Sequence, residues 1–460
     1  MCRSIFLEVW VNSYLIILIY FFLVVFSKAT WSKDELTKTD VDFINYEAKI
    51  KPDFRNKSID GNVVITFIPL VHDLNLLNFS AKFKQIKSVF LGETELDFSI
   101  SNGLLTLKFP IRLENNTPYS IHITYIATPP RGIKFYDDHL FTVYHTKNWL
   151  VSHSDLSDKA TFDLSITHDS AFTAVGNGTF ISHSKIGRGQ VVSRWKQPIP
   201  VPLYTFGFAL GHFKKLSLES ENIDISVLYR QQQKSGLSEV SIREAFRDVA
   251  DMLSFFEDKA GFPLKQSYSY VVVDGYMAQE ASGFSLVGEK FVHTLLANKN
   301  ENWFIAHELA HEWWGNSITS ANFSHFWLNE GLVVFLVAAY KQHLFGEKAY
   351  KDEINVALKR VQRAVKENRA APVAFSKIIK EQEINRTMAY SKGALVFYML
   401  REKLGNKIFW QCLKQYSLTF KDKTVTTQNL KSVCEQTSGI DLSTFFDRWV
   451  YGQEIPVINL

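Results

Sequence analysis

Cysteine is scarce in this sequence, with three residues among 460. Cys2 lies beside a hydrophobic N-terminal run, while Cys412 and Cys434 lie in two neighbouring helical patterns near the C-terminus. Nothing around them supports a cysteine nucleophile. Cys412 and Cys434 can form a disulfide in an oxidising compartment, or they can remain as two buried free thiols, which is the interpretation we favour.

The sequence also lacks an excess of charge of one sign. Its 51 basic and 47 acidic residues give a net charge of +4, which is too small to indicate a nucleic-acid-binding protein. A composition of 46% hydrophobic and 21% charged residues is typical of a globular protein. The length allows two or three domains with cores of their own, and we find no internal repeat.

Long hydrophobic runs are missing except at the N-terminus. Val9 to Phe26 is 18 residues without a charge, preceded by Arg3 and followed by the small residues of "SKA". This pattern predicts a secretory signal over residues 1–29. The length of the run and the presence of Glu8 leave an uncleaved membrane anchor as the alternative. In both cases we expect the rest of the chain to be exported, to a periplasm or to the extracellular space.

Period-2 alternation dominates from about residue 42 to residue 230. "YSIHITY" at 119–125 and "ATFDLSI" at 160–166 each place apolar residues on one face, and turn residues such as "NNTP" separate the runs. This pattern is typical of half-buried strands. It predicts an antiparallel β-sandwich as the N-terminal domain, over residues 30–225.

The period changes from strand-like to helical near residue 241. In the segment 241–263 the apolar residues are spaced by four and three, Ser241 and Glu244 match a capping box, and Gly261 is a suitable end. After Asn300 nearly every pattern is helical. We therefore predict a mainly helical second domain over residues 226–460.

The stretch "HELAHEWWGN" at 307–316 contains two histidines four residues apart. On a helix, His307 and His311 lie one turn apart on the same face, so that both rings can reach one metal ion. Glu308 follows the first histidine, as in the zinc hydrolase pattern in which this glutamate is the general base. Chance occurrence of the five residues is the alternative, so the motif is suggestive only when taken alone.

A second helical pattern supplies a third candidate ligand. It ends at Gly346, and its middle is apolar all round, which predicts a buried helix. Glu330 lies at its start, with 18 residues between it and His311, and a carboxylate entering a buried helix needs a partner. Two histidines with a distant glutamate form the thermolysin-type zinc set, whereas Trp314 and Ser317 do not fit the metzincin pattern.

Three motifs together resemble the aminopeptidase N family of zinc exopeptidases, which includes a leukotriene hydrolase branch. The motifs are "HELAHEWWGNSIT", then "FWLNEG", and then "YSKGALVFYML", whose tyrosine lies 60 residues after Glu330. The resemblance covers most of the chain after the hydrophobic run and is strongest from about 241 to 455. It implies an N-terminal β-domain followed by a thermolysin-like, mainly helical zinc catalytic domain.

The resemblance also implies roles for individual residues. His307, His311 and Glu330 would hold one zinc ion, and Glu308 would be the base. Tyr390 matches the tyrosine that hydrogen-bonds the developing oxyanion. In the loop "GYMAQEASGFSLVGEK" at 275–290, alignment of the strand that follows places Glu280 where the family holds the α-ammonium group of the substrate. Gln279 is a possible substitute.

Some features depart from the family pattern. Many relatives have a glutamate near the metal ligands where this chain has Val337. The contribution of the β-domain to the site is not identifiable, and His145 is a guess for it. The sequence stops at Leu460, so we expect a short form without the C-terminal helical domain of larger relatives, and an open cleft between the two domains.

We therefore expect a zinc-dependent aminopeptidase that releases N-terminal residues from peptides. Its partners would be peptide substrates, without nucleic acid, and it would contact a membrane only through an uncleaved N-terminal segment. A zinc hydrolase of esters or epoxides on the same fold is one alternative. A non-catalytic exported binding protein is the other, and the presence of Glu308 and Tyr390 argues against it.

Overall fold

The computed structural model of the protein describes residues 40–153, 155–230 and 236–458, which belong to one compact unit. The predicted signal or anchor, with Cys2, lies outside the described residues. Cys412 and Cys434 are both buried and are free thiols, with the sulfur of Cys412 3.8 Å from the backbone oxygen of Cys434.

The first part of the described chain is built from β-strands in three sheets. One sheet has eight strands in the order β13-β14-β11-β1-β2-β8-β4-β5, a second has the order β12-β15-β10-β9, and a third has the order β3-β7-β6. The strands are β1 Val41–Asp53, β2 Ser58–Pro69, β3 Leu74–Ser80, β4 Lys84–Leu91, β5 Thr94–Glu95, β6 Phe98–Ser101, β7 Leu104–Leu113, β8 Tyr119–Ala127, β9 Ile133–Phe135, β10 His139–Thr142, β11 Lys159–Asp169, β12 Thr173–Gly176, β13 Thr179–Gly187, β14 Gln190–Pro202 and β15 Phe208–Gly211.

The predicted alternation is confirmed on these strands. In β8 and β11 every second residue is buried, including Ile121, Ile123, Phe162 and Leu164. The side chains of one face therefore form the core between the sheets. One pairing departs from the antiparallel expectation, because β1 pairs with β11 in parallel. A parallel pair requires a long connection, and the segment between these two strands supplies it.

A mixed five-stranded sheet follows, in the order β16-β17-β18-β20-β19. Strand β15 of the four-stranded sheet ends at Gly211, and β16 of the five-stranded sheet begins at Lys214. The change of sheet therefore falls between these two residues, ahead of the predicted boundary at 225/226. Within the new sheet, β17 pairs in parallel with β18. Alternating burial indicates that a segment is a strand but not which sheet it joins. The strands are β16 Lys214–Leu218, β17 Ile225–Tyr229, β18 Tyr268–Val273, β19 Ala278–Ala281 and β20 Phe284–Gly288.

The rest of the described chain is mainly helical, as predicted. A short parallel pair, β21 Thr319–Ser320 with β22 Thr424–Val425, and a π-helical turn, Met388–Lys392, accompany the helices. The helices are α1 Glu239–Ala245, α2 Val249–Ala260, α3 Glu289–Ala297, α4 Trp303–Ala310, α5 Trp327–Phe345, α6 Glu347–Lys366, α7 Gly393–Leu404, α8 Asn406–Thr419, α9 Thr427–Ser438 and α10 Ser443–Trp449.

The predicted helix after residue 241 begins earlier and is divided in two. Ser238 is the N-cap of α1, because its hydroxyl accepts from the Ser241 nitrogen at 3.2 Å while the Ser241 hydroxyl accepts from the Ser238 nitrogen at 2.8 Å. The predicted capping box from Ser241 to Glu244 was therefore wrong by one turn. The predicted end is confirmed, since Gly261 closes α2 with a left-handed backbone angle of 82°.

Helix α5 forms the centre of the helical part. Among the described residues, Phe323–Phe345 is the one helical stretch that is long and apolar enough to cross a membrane. Because 89% of its most apolar window is buried inside the fold, we interpret it as a core helix, as predicted.

Candidate metal centre and active site

The three predicted ligands meet at one point. The Nε2 atoms of His307 and His311 are 3.1 Å apart, and Oε2 of Glu330 lies 3.5 Å from each of them. His307 lies on α4, His311 caps its C-terminus, and Glu330 lies in the first turn of α5. All three side chains are buried. The packing of α4 against α5 therefore brings together residues that are far apart in sequence.

The turn after α4 fixes the orientation of the second imidazole. The Nδ1 of His311 lies 3.0 Å from the Trp314 backbone oxygen, to which it donates, so that Nε2 carries the lone pair in the neutral ring. Gly315 is required here. Its φ is 148°, and a Cβ at this position would lie 2.8 Å from Nδ1 of His311.

These residues fit a zinc ion. The centre of the triangle formed by their three donor atoms lies about 2.0 Å from each, which is the length of a zinc–ligand bond. Oε2 of Glu330 has no hydrogen-bond partner among the described residues, although it is buried. Burial opposes charge on Glu330, but the charge of His311 and the close approach of both imidazoles, whose Nε2 atoms lie 3.5 Å from its Oε2, outweigh it and hold its pKa well below the usual range.

Two further carboxylates lie beside this group. One oxygen each of Glu280 and Glu308 and a ring nitrogen of His311 lie within 4.8 Å of one another. Burial raises the pKa of Glu280 to about 7 and that of Glu308 well above its usual value. Oε2 of Glu308 has no hydrogen-bond partner among the described residues, so it is available to a substrate or a water.

Glu280 lies on a hairpin at the edge of the five-stranded sheet. It belongs to β19, which pairs with β20 through a turn at Ser282 and Gly283. Gly283 has a φ of 81°, and a Cβ there would lie 2.6 Å from the Gly178 nitrogen. Gln279, the residue before Glu280, is also buried and lines the same cavity.

Tyr390 lies in the π-helical turn, with its ring parallel to that of His307 at a centroid distance of 6.3 Å. Burial, followed by the charge of Glu330, raises the pKa of Tyr390 well above its usual value, so its hydroxyl keeps the proton it would donate. Gly331 allows α5 to lie close to the π-helical turn and the start of α7, since a Cβ there would lie 2.8 Å from both the Ala389 oxygen and the Gly393 Cα. Single π-helical turns are frequent at functional sites.

The β-domain contributes Tyr144, which sequence reasoning missed. Tyr144 lines the same cavity as the candidate ligands His307 and Glu330, whereas the guessed residue, His145, does not. Burial and then the charge of Glu280 raise the pKa of Tyr144 well above its usual value. Tyr144 and His145 have φ values of 41° and 51°, and no periodic pattern in the sequence signals two successive left-handed residues.

All the predicted site residues line or adjoin one cavity of about 540 Å³. This volume lies within the range of small-molecule and peptide sites. Glu280, Glu308 and Tyr390 therefore face the space next to the three candidate ligands.

Comparison with known proteins agrees with this geometry. Residues 244–449 match the peptidase family M1 domain. A protein named leucine aminopeptidase 2 from Eremothecium gossypii is 27% identical over 278 residues, which cover 57% of this chain and 42% of the relative. A protein named aminopeptidase N from Lactococcus lactis subsp. lactis is 25% identical over 453 residues, which cover 90% of this chain and 51% of the relative. The chain thus spans about half the length of these curated relatives.

Solved structures share the fold. A variant of the M1 zinc metallopeptidase from Deinococcus radiodurans, bound to a Tyr-Ser-Ala substrate, superposes with a TM-score of 0.78 at 19% sequence identity. The match covers 91% of this chain and 96% of that chain. The predicted fold class, a β-rich domain followed by a helical catalytic domain, is therefore confirmed.

Proposed function

Because residues 244–449 match the peptidase family M1 domain, we propose that the protein is a zinc aminopeptidase that releases N-terminal residues from peptides. One observation carries the proposal: Glu280, a candidate partner for an α-ammonium group, lies within 4.8 Å of Glu308 and His311. The three candidate ligands alone would fit any thermolysin-like hydrolase. A buried carboxylate next to them favours substrates with a free amino terminus.

His307, His311 and Glu330 would hold the zinc ion. When bound there, zinc supplies a Lewis acid that polarises a carbonyl and lowers the pKa of water towards about 7. Both imidazoles can present Nε2 as neutral ligands, and the carboxylate adds one negative charge. The set leaves a coordination position for water and substrate.

Glu308 would move the proton. Its Oε2 is buried beside the candidate ligands and has no hydrogen-bond partner among the described residues, so as a carboxylate it can accept a proton from the attacking water. It then passes that proton to the leaving amine. Tyr390 would donate its hydroxyl hydrogen to the oxyanion, which forms only in the transition state.

Glu280 would determine that cleavage starts at the N-terminus. A charge-assisted hydrogen bond from the α-ammonium group to this buried carboxylate holds the first residue beside the reacting centre. Gln279 adds an amide to the same wall. The outer side of β19 is the edge of its sheet, where an extended peptide would pair with the backbone of the strand.

A panel of aminoacyl-naphthylamides, assayed with and without a chelator, tests the proposal. We expect turnover that disappears with the chelator and returns with zinc, and one zinc ion per chain by metal analysis. Esters and epoxides are assayed beside the amides. Turnover by metal-free protein would refute the zinc mechanism, and faster hydrolysis of esters or epoxides would replace the peptidase assignment with that of another zinc hydrolase.

We also propose that the protein is exported, on the basis of the uncharged run at residues 9–26. The mass of the purified natural protein tests this. A mature N-terminus near Thr30 supports a cleaved signal, and full-length protein in the membrane fraction supports an anchor. Full-length protein in the cytosolic fraction would contradict both.

A further inference from the structure

A lysine of the β-domain holds backbone oxygens of the helical part. Lys159 is the first residue of β11, and its Nζ donates to the backbone oxygens of Asn316 at 3.1 Å, Ser317 at 2.5 Å and Lys423 at 3.3 Å. An ammonium group has three N–H donors, so these contacts can use all of them. Hydrogen bonds from a charged donor are about twice as strong as neutral ones. The ammonium group therefore joins two backbone segments that are far apart in sequence.

One of these segments is the turn that orients His311. The backbone nitrogens of Asn316 and Ser317 donate to the backbone oxygens of His311 at 2.9 Å and Glu312 at 3.2 Å, respectively. Trp314, whose backbone oxygen accepts from Nδ1 of His311, lies within the same turn. A displacement of Asn316 and Ser317 would therefore move the acceptor that sets the orientation of this imidazole.

The turn depends on contacts from outside it. Gly315 lies at its centre with a φ of 148°, and glycine leaves the backbone more conformational freedom than any other residue. The second segment that Lys159 holds also supports the turn, because the Lys423 oxygen accepts from the Thr319 nitrogen at 3.1 Å. The turn is thus held at its end by the pairing of β21 with β22, and on the side of the β-domain by Lys159.

We propose that Lys159 is a positioning residue for the metal centre: its ammonium group holds the turn that orients His311, so that the β-domain contributes to zinc binding and to turnover. The part of this inference that concerns turnover rests on the proposed aminopeptidase function. Lys159 does not line the cavity, and it acts through Asn316 and Ser317. Replacing a residue that orients a metal ligand lowers metal affinity or activity by about 10- to 100-fold.

Lys84 offers a matched control within the same domain. Its Nζ also donates to three backbone oxygens, those of Ser80, Lys82 and Lys147, but all three belong to the β-domain. Burial lowers the pKa of both Lys84 and Lys159 to about 7, which indicates that the two ammonium groups have similar surroundings. The two lysines therefore differ in the segments they hold and not in their chemistry.

Three measurements on the purified protein test the proposal. Competition with a chelator gives the zinc dissociation constant, and the absorption spectrum of the cobalt-substituted protein reports the geometry of the ligands. Steady-state kinetics with Leu-naphthylamide at saturating zinc gives kcat and KM separately.

The charge of Lys159 should affect the metal centre, whereas that of Lys84 should not. We expect Lys159→Met, which removes the charge and keeps the length of the side chain, to raise the zinc dissociation constant and lower kcat by about tenfold each. Its cobalt spectrum should change, while KM stays within about twofold because the substrate amine is held elsewhere. Lys159→Arg keeps a charged N–H donor group and should recover most of both losses. Lys84→Met should leave zinc affinity, kcat and the cobalt spectrum unchanged.

The outcomes distinguish positioning from general stability. Wild-type zinc affinity, kcat and cobalt spectrum in Lys159→Met would overturn the proposal, and so would equal losses in Lys159→Met and Lys84→Met. Circular dichroism verifies that each variant is folded. If Lys159→Met does not fold, Lys159→Gln replaces it with the same expected losses. Unfolding of both neutral variants would assign Lys159 a role in stability and overturn its role in positioning.

Zinc affinity and the cobalt spectrum are measured without turnover, so this proposal and the proposed function can fail separately. Failure of the zinc-loaded wild type to cleave any peptide or naphthylamide would overturn the proposed function. Weaker zinc binding by Lys159→Met, with normal binding by Lys84→Met, would still support the positioning role of Lys159.

Discussion

The carboxylate of Glu312 accepts a hydrogen bond from the backbone nitrogen of Gly283 at 2.8 Å. Glu312 directly follows the candidate ligand His311, and Gly283 lies in the turn of the hairpin that carries Glu280. The contact therefore joins the candidate metal centre to the strand that would hold the substrate amine. Gln266 also donates to Glu312, at 2.9 Å.

Replacing Glu312 should move the hairpin without removing the metal. We expect Glu312→Leu to raise KM for Leu-naphthylamide about tenfold, because the buried Gly283 nitrogen loses its acceptor at a cost of about 1–3 kcal/mol. Glu312→Gln keeps an acceptor oxygen and should restore most of the loss. Steady-state kinetics and zinc analysis of both variants provide the measurement. Equal KM values in the two variants would show that the hydrogen bond does not position Glu280.

Glu308 is expected to act on the proton and not on the metal. Glu308→Gln should retain zinc and lose turnover by about 10²–10⁴-fold, since the base is removed while the three candidate ligands remain. The measurement is kcat together with metal content. Wild-type turnover in this variant would assign the base to another residue.

Glu280 and Gln279 are neighbours that should differ in effect. Glu280→Ala is expected to raise KM by roughly ten- to hundredfold, because a charge-assisted pair contributes about 1.5–3 kcal/mol. It should also reduce the discrimination against N-acetylated peptides. Gln279→Ala, with an equally buried side chain on the same strand, should have the smaller effect. Efficient cleavage of acetylated peptides by the wild type would remove Glu280 from the role.

The residues that sequence reasoning placed correctly depend on local geometry or on spaced motifs. His307 and His311 meet because a helix places positions four apart on one face, which holds wherever α4 lies in the fold. The apolar character of α5 likewise predicts its burial, and Glu330 at its start then needs a partner. These arguments require no knowledge of how the sheets are arranged.

The missed features depend on long-range or unusual backbone geometry. Tyr144 reaches the cavity from a segment with two left-handed residues, a conformation that non-glycine residues rarely adopt. The parallel pairing of β1 with β11, and the membership of β16 in the five-stranded sheet, are choices between partners with the same alternating pattern. Periodicity predicts which face of a strand is buried, but it does not predict which strand pairs with it.

Tyr390 should contribute to turnover more than to binding. Tyr390→Phe is expected to lower kcat by roughly 10²-fold with little change in KM, because the hydroxyl bonds the oxyanion only in the transition state. Tyr398→Phe is the matched control, since Tyr398 lies two turns further along and does not line the cavity. A rise in KM with unchanged kcat would indicate that Tyr390 binds the ground state instead.

Asp158 should make stability depend on pH. Its side chain is buried and accepts from the Phe43 nitrogen at 3.3 Å, while its other oxygen has no partner among the described residues. Burial raises the pKa of Asp158 to about 8, and the charge of Asp42 adds to the shift. In the unfolded chain an aspartate releases its proton near pH 4, so between about pH 4 and 8 the folded state binds more protons.

This difference in proton binding determines the sign of the pH dependence of stability. Stability from this group is present below about pH 4 and is lost as the pH rises towards 8, at a rate of at most about 1.4 kcal/mol per pH unit. Asp158→Asn removes the titration and keeps an acceptor oxygen, so the variant should gain stability relative to the wild type between pH 5 and pH 8. Urea unfolding at several pH values measures this gap.

Asp163→Asn is the control. Asp163 lies on β11, is partly exposed and pairs with Lys196, and its substitution should show no widening gap. Parallel stability curves for the wild type and Asp158→Asn would mean that Asp158 is ionised in the folded protein throughout this range.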